Sequence, residues 1–439
     1  MSMILTAIAT LSQAALLVEN RRGNSASPVL FVVPVVQSFM QQHNRISQEI
    51  RKQVHLLSCE YVLAHACRLD DPTFADNSKT LAAEDTNIQS ILFGSPPSRL
   101  TVPSHRTMEA LLAFNWYRCD TKPNLELADH AVMAAKASEI RRYIASALWC
   151  LGLTYVRLGN YDISYKHIQE AYQFFNTLPP SDVESRRLGG LCGIELVENA
   201  RFILQADKVV SLAWDVEKKC AALSDDLVHG LSLLKLGVAL NEVQQRQEAL
   251  YNMDRARTIF KAVGHTLNLA RAYHVISWLH LDEHRLPDAL DAIEEAWKCA
   301  ELTANRYIQI SVSRTFARIL FNTDQDTKAR KYIEISLINA SYIGDRLQVA
   351  RALDYIGYGY LRRGDYRNAY GAYEAAAEEY LGTIMTGSAE RCKNNMAKIE
   401  RQGNPDAVVG FERPLLDIDK TLFYPPVKAF ATEPSVSHS

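Results

Sequence analysis

The sequence predicts an all-α protein, an α-solenoid superhelix of stacked helical hairpins, with a short β-hairpin element ahead of it. Three observations predict this. First, a small residue recurs at an interval of 40 residues, at Gly237, Ser277, Ala317 and Gly357, each directly after a large apolar one (Leu236, Ile276, Phe316, Ile356). Second, twelve residues beyond each small residue stands an alanine (Ala249, Ala289, Ala329, Ala369). Four further on is a bulky apolar residue (Met253, Ile293, Ile333, Tyr373), and three beyond that another small one (Ala256, Ala296, Ser336, Ala376). Third, these positions fall three and four apart, which is one stripe of a helix. A fixed period of this length marks a solenoid.

Each unit therefore holds two helices joined by a short polar turn. Where two helices cross closely, a large side chain pushes the axes apart, so small residues recur at the crossing. One hairpin cannot bury both of its faces; stacking on neighbours supplies the missing core.

The sharpest unit reads Leu353, Ile356–Gly357, Tyr360, Gly364–Asp365–Tyr366, Ala369, Tyr373 and Ala376. A second has the same layout: Leu148, Leu151–Gly152, Tyr155, Gly159–Asn160–Tyr161, Ser164, Ile168 and Ala171. This layout resembles the tetratricopeptide repeat (TPR). Two units match less well. One runs over Leu112, Trp116, Ala128, Val132 and Ala135. The other runs over Val197, Ala200, Leu204, Ala213 and Cys220, with Arg201 where a small residue is expected. Six or seven repeats are expected over 105–399.

The totals bound the rest. The chain has 439 residues, 48% hydrophobic and 22% charged, with a formal charge of −2, so no chain-wide field draws it to nucleic acid or anionic lipid. No apolar run reaches the ~18–20 residues of a membrane helix. Eight scattered cysteines without a CxxC pair read as reduced, mostly buried thiols, and the chain as cytoplasmic.

Ahead of the repeats, residues 1–43 read differently. Thr6–Ala15 predicts a short helix, Leu16–Glu19 a strand, Asn20–Ser27 a polar turn, Val29–Val33 a second strand and Pro34–Gln41 a helix. Helix, hairpin, helix is the tail of a winged-helix domain, here a remnant. Residues 44–104 are expected to be a helical linker. Its first helix, 44–67, places Ile46, Ile50, Val54, Leu57, Tyr61 and Val62 on one face, and its second runs around Leu81–Phe93. Within the repeats, Pro179–Pro180 breaks a helix and Ser181 with Glu184 predicts a capping box for the next. Residues 400–439 are expected to form an extended tail, with Phe423, Tyr424 and Phe430 as its anchors if it docks.

Pro34–Val35–Val36–Gln37–Ser38–Phe39–Met40 follows the wing-like hairpin, and Asp71–Pro72–Thr73–Phe74 leads into Ala82–Ala83–Glu84–Asp85–Thr86–Asn87–Ile88–Gln89. Together with the repeats, these segments resemble the C-terminal half of fungal STAND-type (NB-ARC or NACHT) signalling ATPases. The resemblance implies an upstream nucleotide domain, a winged helix that helps hold the inactive state and repeats that sense a ligand or partner. The chain contains no GxxxxGK[ST] loop to hold phosphates. It therefore reads as the sensor and partner-binding module of such a protein. The alternatives are a fragment of a nucleotide-binding STAND NTPase whose P-loop lies upstream, and a transcriptional regulator whose wing, with Arg21–Arg22, contacts DNA.

No catalytic constellation stands out: there is no GxSxG, HExxH or GxGxxG. His55 and Cys59, four apart on a helix, read as an ordinary helix face rather than as metal ligands. No cofactor or metal is expected, and the protein is not expected to be an enzyme. The candidate site is the groove lined by the first helix of each hairpin. Positions beside the crossing select Trp149 and Leu153, Leu234 and Val238, His274 and Trp278, Arg314 and Arg318, Asp354 and Tyr358. One turn on come Leu281, Phe321, Leu361 and Arg362. Aromatics beside arginines are hot-spot residue types; the alternative is that Trp278 and Phe321 are inter-repeat core and the arginines are solvated. The expected partner is a protein or an extended or helical peptide, acidic to match Arg314, Arg318 and Arg362. A homo-oligomer formed through the repeats is a further expectation, and nucleic acid is not an expected partner.

Overall fold

A computed structural model of the chain describes residues 17–20, 29–32, 48–67, 73–93, 104–303, 305–381 and 386–402. Among them are two strands and seventeen helices. β1 (Leu17–Asn20) and β2 (Val29–Val32) pair antiparallel, with Leu17 opposite Val32 and Asn20 opposite Val29. The flanking helices expected of a winged-helix remnant lie outside the described residues, as do Arg21–Arg22 and the tail from 403.

α1 (Gln48–His65) and α2 (Phe74–Phe93) pack against α3 (His105–Thr121). Of the face expected to bury, Val62 and Tyr61 pack inward but Val54 and Leu57 do not. Leu57 is 70% exposed and Val54 42%, whereas Cys59 and Val62 are buried with Leu81, Ile88 and Phe114. The stripe through His55, Cys59 and Val62 meets both neighbours: the His55 ring nitrogen Nε2 lies 3.1 Å from Thr107 Oγ1, and the Tyr61 hydroxyl donates to the Thr80 carbonyl at 3.3 Å. The chain offered two apolar stripes here, and the one with partners on two sides won.

Seven helix pairs follow: α3 with α4 (Leu125–Ser138), α5 (Arg141–Arg157) with α6 (Tyr161–Asn176), and α7 (Val183–Ala200) with α8 (Ala206–Ala221). Then come α9 (Asp226–Glu242) with α10 (Arg246–Ala262) and α11 (Thr266–Asp282) with α12 (Leu286–Glu301). The last are α13 (Arg306–Asn322) with α14 (Asp326–Ile343) and α15 (Arg346–Arg362) with α16 (Tyr366–Leu381), closed by α17 (Thr386–Gln402). The expected crossings are present. A methyl group on Gly152 would stand 2.5 Å from the Ile168 side chain, one on Gly237 2.6 Å from Met253, and one on Gly357 2.9 Å from the Tyr373 ring. Each partner is sixteen residues on.

Arg201 is not at such a crossing. Gly190 faces Cys220 and Gly230 faces Phe260, thirty residues on in each case, so the 40-residue register carries back into α7. That register places Val197 at the crossing and Ala213 sixteen residues later. The large residue is on the first helix and the small one on the second, the reverse of the pairs that cross at Gly152, Gly237 and Gly357. Both are buried.

The turns repeat as well. Asn124, Asn160, Asp225, Asn305 and Asp345 cap second or first helices, each side chain accepting a backbone N–H. α7 is capped by Asp182, which accepts from Ser185 N at 3.0 Å, and not by the expected Ser181. Asp182 is the residue left free to cap once Pro179–Pro180 has ended α6. Between the helices of a pair the backbone enters the left-handed region at Gly159, Gln244, His284, Asp324 and Gly364, with φ from 54° to 78°.

Candidate functional site

Successive first helices touch one another (α5 with α7, then α9, α11, α13 and α15 in turn), while successive second helices do not pack closely. The first helices therefore form the tighter, inner layer. The guanidinium of Arg157, at the end of α5, is close enough to act on the Tyr307 hydroxyl at the start of α13, four hairpins on. Burial, chiefly, pushes that hydroxyl well above the usual phenol range.

Contact between neighbouring first helices decides where the expected groove residues sit. Trp149, Leu153, Leu234, Val238, His274, Trp278, Arg314, Asp354, Phe321, Leu281 and Leu361 are all buried. Trp149 meets Trp116 edge-on at 4.9 Å and Phe175 at 6.3 Å. Thr315 Oγ1 accepts from Trp278 Nε1 at 3.2 Å and lies 2.8 Å from His274 Nε2, tying α11 to α13. Phe321 meets the Tyr358 ring edge-on at 5.8 Å. These aromatics join one repeat to the next.

The charged inner residues separate into two kinds. Some are neutralised within the chain. Arg157 bonds Asp120 at 3.0 Å. Arg362, expected to meet a partner, is engaged with Asp324 and also lies 3.7 Å from Asp326. Arg391 on α17 pairs with Asp354, whose carboxyl burial holds above the usual range despite that pairing. The largest such group was invisible in the sequence. Arg201 donates to Glu198 at 2.9 Å and to Glu242 at 2.7 Å, and Lys235 Nζ donates to Glu198 at 3.0 Å. All but Glu242 are buried. Burial raises the Glu198 carboxyl, but the attraction of Arg201 and Lys235 overrides it and leaves a net lowering. Burial pushes Lys235 down to about 8, against the pull of Glu198 and Glu195. The only sequence signal for this group was that Glu198, Arg201 and Lys235 fall on inner positions of adjacent units.

Arg318 is of the other kind. It stands on α13 at the position that Trp278 holds on α11 and Tyr358 on α15. It is half-buried, it makes no ion pair among the described residues, and its Nη1 is buried with no hydrogen-bond partner. Asn241 Oδ1, at an inner position of α9, is likewise buried and unpartnered. Arg314, one turn before Arg318, donates to the Gln348 amide oxygen at 2.5 Å.

Among the described residues, no group of three His, Cys, Asp or Glu side chains is placed to hold a metal ion, and no helix is long and apolar enough to cross a membrane. All eight cysteines are free thiols, six of them buried.

No protein-family model matches the chain, and no curated protein matches it. Solved structures of helical-repeat proteins do. The apo form of RapI is 11% identical with a TM-score of 0.49, over 79% of this chain and 90% of that one. Aspartyl phosphate phosphatase F from Bacillus subtilis is 11% identical with a TM-score of 0.44, over 84% of this chain and 98% of that one. The TPR-like repeats of a putative kinesin light chain from Podosopora anserina are 16% identical with a TM-score of 0.37, over 46% of this chain and 96% of that one. At these identities and scores none of them bears on function. The TPR-like solenoid stands on the chain's own crossings, caps and turns.

Proposed function

We propose that this chain is a non-catalytic protein-interaction scaffold whose inner helix layer holds an acidic segment of a partner protein, anchored on Arg318. The observation that carries the reading is that Arg318 is half-exposed on the inner layer and makes no ion pair among the described residues. A carboxylate that reaches its guanidinium gains a charge-assisted hydrogen bond. Tyr358, half-exposed at the equivalent position of the next first helix, supplies apolar surface for the flanking residues of the segment. Arg362 drops out of the recognition set, because Asp324 and Asp326 already occupy it.

The wider setting proposed is the sensor and partner-binding module of a STAND-type signalling protein. Its support is the resemblance of the sequence segments around 34–40 and 71–89.

Fluorescence anisotropy with labelled Glu-rich, Gln-rich and Lys-rich peptides of equal length tests the reading. The Glu-rich peptide should bind, more weakly as salt rises. Arg318→Ala should weaken it at least tenfold and Arg318→Lys less. Equal affinity of wild type and Arg318→Ala for the Glu-rich peptide would overturn the proposal.

A further inference from the structure

Each of the last four second helices ends in one large apolar residue that is exposed among the described residues. Val263 (43% exposed), Leu302 (80%), Tyr342 (73%) and Leu381 (58%) each fall within a residue or so of the end of α10, α12, α14 and α16. Their spacing is 39, 40 and 39 residues, so the solenoid sets them in a row, one per repeat. Ile338, 66% exposed and one turn before Tyr342 on α14, widens the row at its centre. At these exposures the five side chains present roughly 500 Å² of apolar surface, at the upper end of what a monomer shows in one patch. That is more than half of the ~800 Å² per partner of a standard interface.

We propose that this row is the contact surface of a two-fold homodimer. Two features favour a second copy over an unlike partner. First, the rim is charge-balanced: Lys261, Arg306 and Arg346 lie beside the row, and so do Glu301, Glu378 and Glu379. Arg346 already pairs with Glu379 at 2.7 Å, and the Arg306 guanidinium lies over the Tyr342 ring at 3.9 Å from its centre. A rim of three cations and three anions can face its own copy without net repulsion. Second, a row of evenly spaced side chains is complementary to its own reversed image. In a two-fold contact the residues of one copy fill the gaps between residues of the other, which is the self-complementarity an isologous interface requires.

Size-exclusion chromatography with light scattering on the full chain, from roughly 1 to 50 µM, tests this, because dimerisation follows mass action. The wild type should show the mass of two chains at the upper end of the range. Leu302→Glu/Tyr342→Glu, and separately Leu381→Glu, should show the mass of one chain at every concentration with unchanged helical circular dichroism. Tyr251→Glu, at a 64%-exposed residue on α10 away from the row, should behave as wild type. A wild type of single-chain mass at 50 µM overturns the proposal, whether or not the row then binds another protein or lipid vesicles. So does a dimer that survives both row variants, or one that Tyr251→Glu also dissolves.

Discussion

Gly357 lies against the face of the Tyr373 ring. A methyl group added to the glycine would stand 2.9, 3.0 and 3.1 Å from three ring carbons, and the ring itself is fully buried. A buried aromatic ring cannot turn aside as the end of a methionine can. Gly357→Ala should therefore destabilise the protein by up to about 2 kcal/mol. That is the strain of overpacking, 1–3 kcal/mol, less the gain of an alanine in a helix. Gly371, in α16, has nothing within 4 Å of the same added atom. Gly371→Ala should instead stabilise by about 0.5–1 kcal/mol. Urea unfolding of both variants checks the pair. Equal signs would mean that the crossing is not close.

The left-handed turns offer a test of the opposite kind. Gln244 at φ 62° and His284 at φ 57° occupy the position that Gly364 fills at 72° in a later repeat. A side chain there costs about 1–2 kcal/mol, while glycine loses about 0.5–1 kcal/mol more chain entropy on folding. Gln244→Gly and His284→Gly should each stabilise by up to about 1 kcal/mol, and Gly364→Ala should destabilise by a similar amount. Thermal melts of the three variants report the sign.

These turns also show what the sequence could carry. Small residue, alanine, bulky residue and small residue at fixed steps gave the pairing of helices from Gly237 to Ala376 without ambiguity, because each step is a local packing requirement. On α1 the sequence does not separate Val54 and Leu57, which stay exposed, from Tyr61 and Val62, which bury, because all are apolar and only the position of α2 and α3 decides between them. Arg201 falls where a small residue is expected only if the first helix carries it, and in this repeat the small residue, Ala213, is on the second. The inner aromatics were legible as inner, and only the stacking of repeats decides that Trp278 and Phe321 face a neighbouring helix rather than a partner. The approach of Arg157 to Tyr307 depends on the accumulated rotation of four repeats, which no single period encodes.

The Glu198 group should behave as one unit. Glu198→Ala leaves two buried cations, Arg201 and Lys235, without their shared carboxylate, and should cost about 3–5 kcal/mol. Lys235 adds a pH signature. Its pKa falls from 10.5 in the unfolded chain to about 8 in the folded one. Between those values the unfolded chain binds more protons, so this group makes stability rise with pH. Below 8 the lysine is charged in both states and the contribution is constant. Wild type should therefore gain on Lys235→Met as the pH climbs from 8 to 10. Urea midpoints of both proteins at pH 7, 8, 9 and 10 check it, and a difference that stays flat would contradict it.

The reversed crossing in the third pair can be restored. Val197 and Ala213 hold the positions that Gly237 and Met253, or Gly152 and Ile168, hold elsewhere. Ala213→Ile alone places a second large side chain against Val197 and should cost about 1–3 kcal/mol by overpacking. Val197→Gly alone opens a gap beside Ala213 and puts a glycine in a helix, and should cost about 2–4 kcal/mol. Each change removes the defect that the other creates, so the double variant should be more stable than the sum of the singles implies, by 1 kcal/mol or more. The α7 helix ends three residues after Val197, whereas α9 ends five after Gly237, yet α8 and α10 both begin nine residues after the crossing. A positive coupling in the double-mutant cycle would establish that the register holds across this shorter helix. Simple additivity would mean that Val197 and Ala213 do not face each other, and that the third pair packs by a different set of residues.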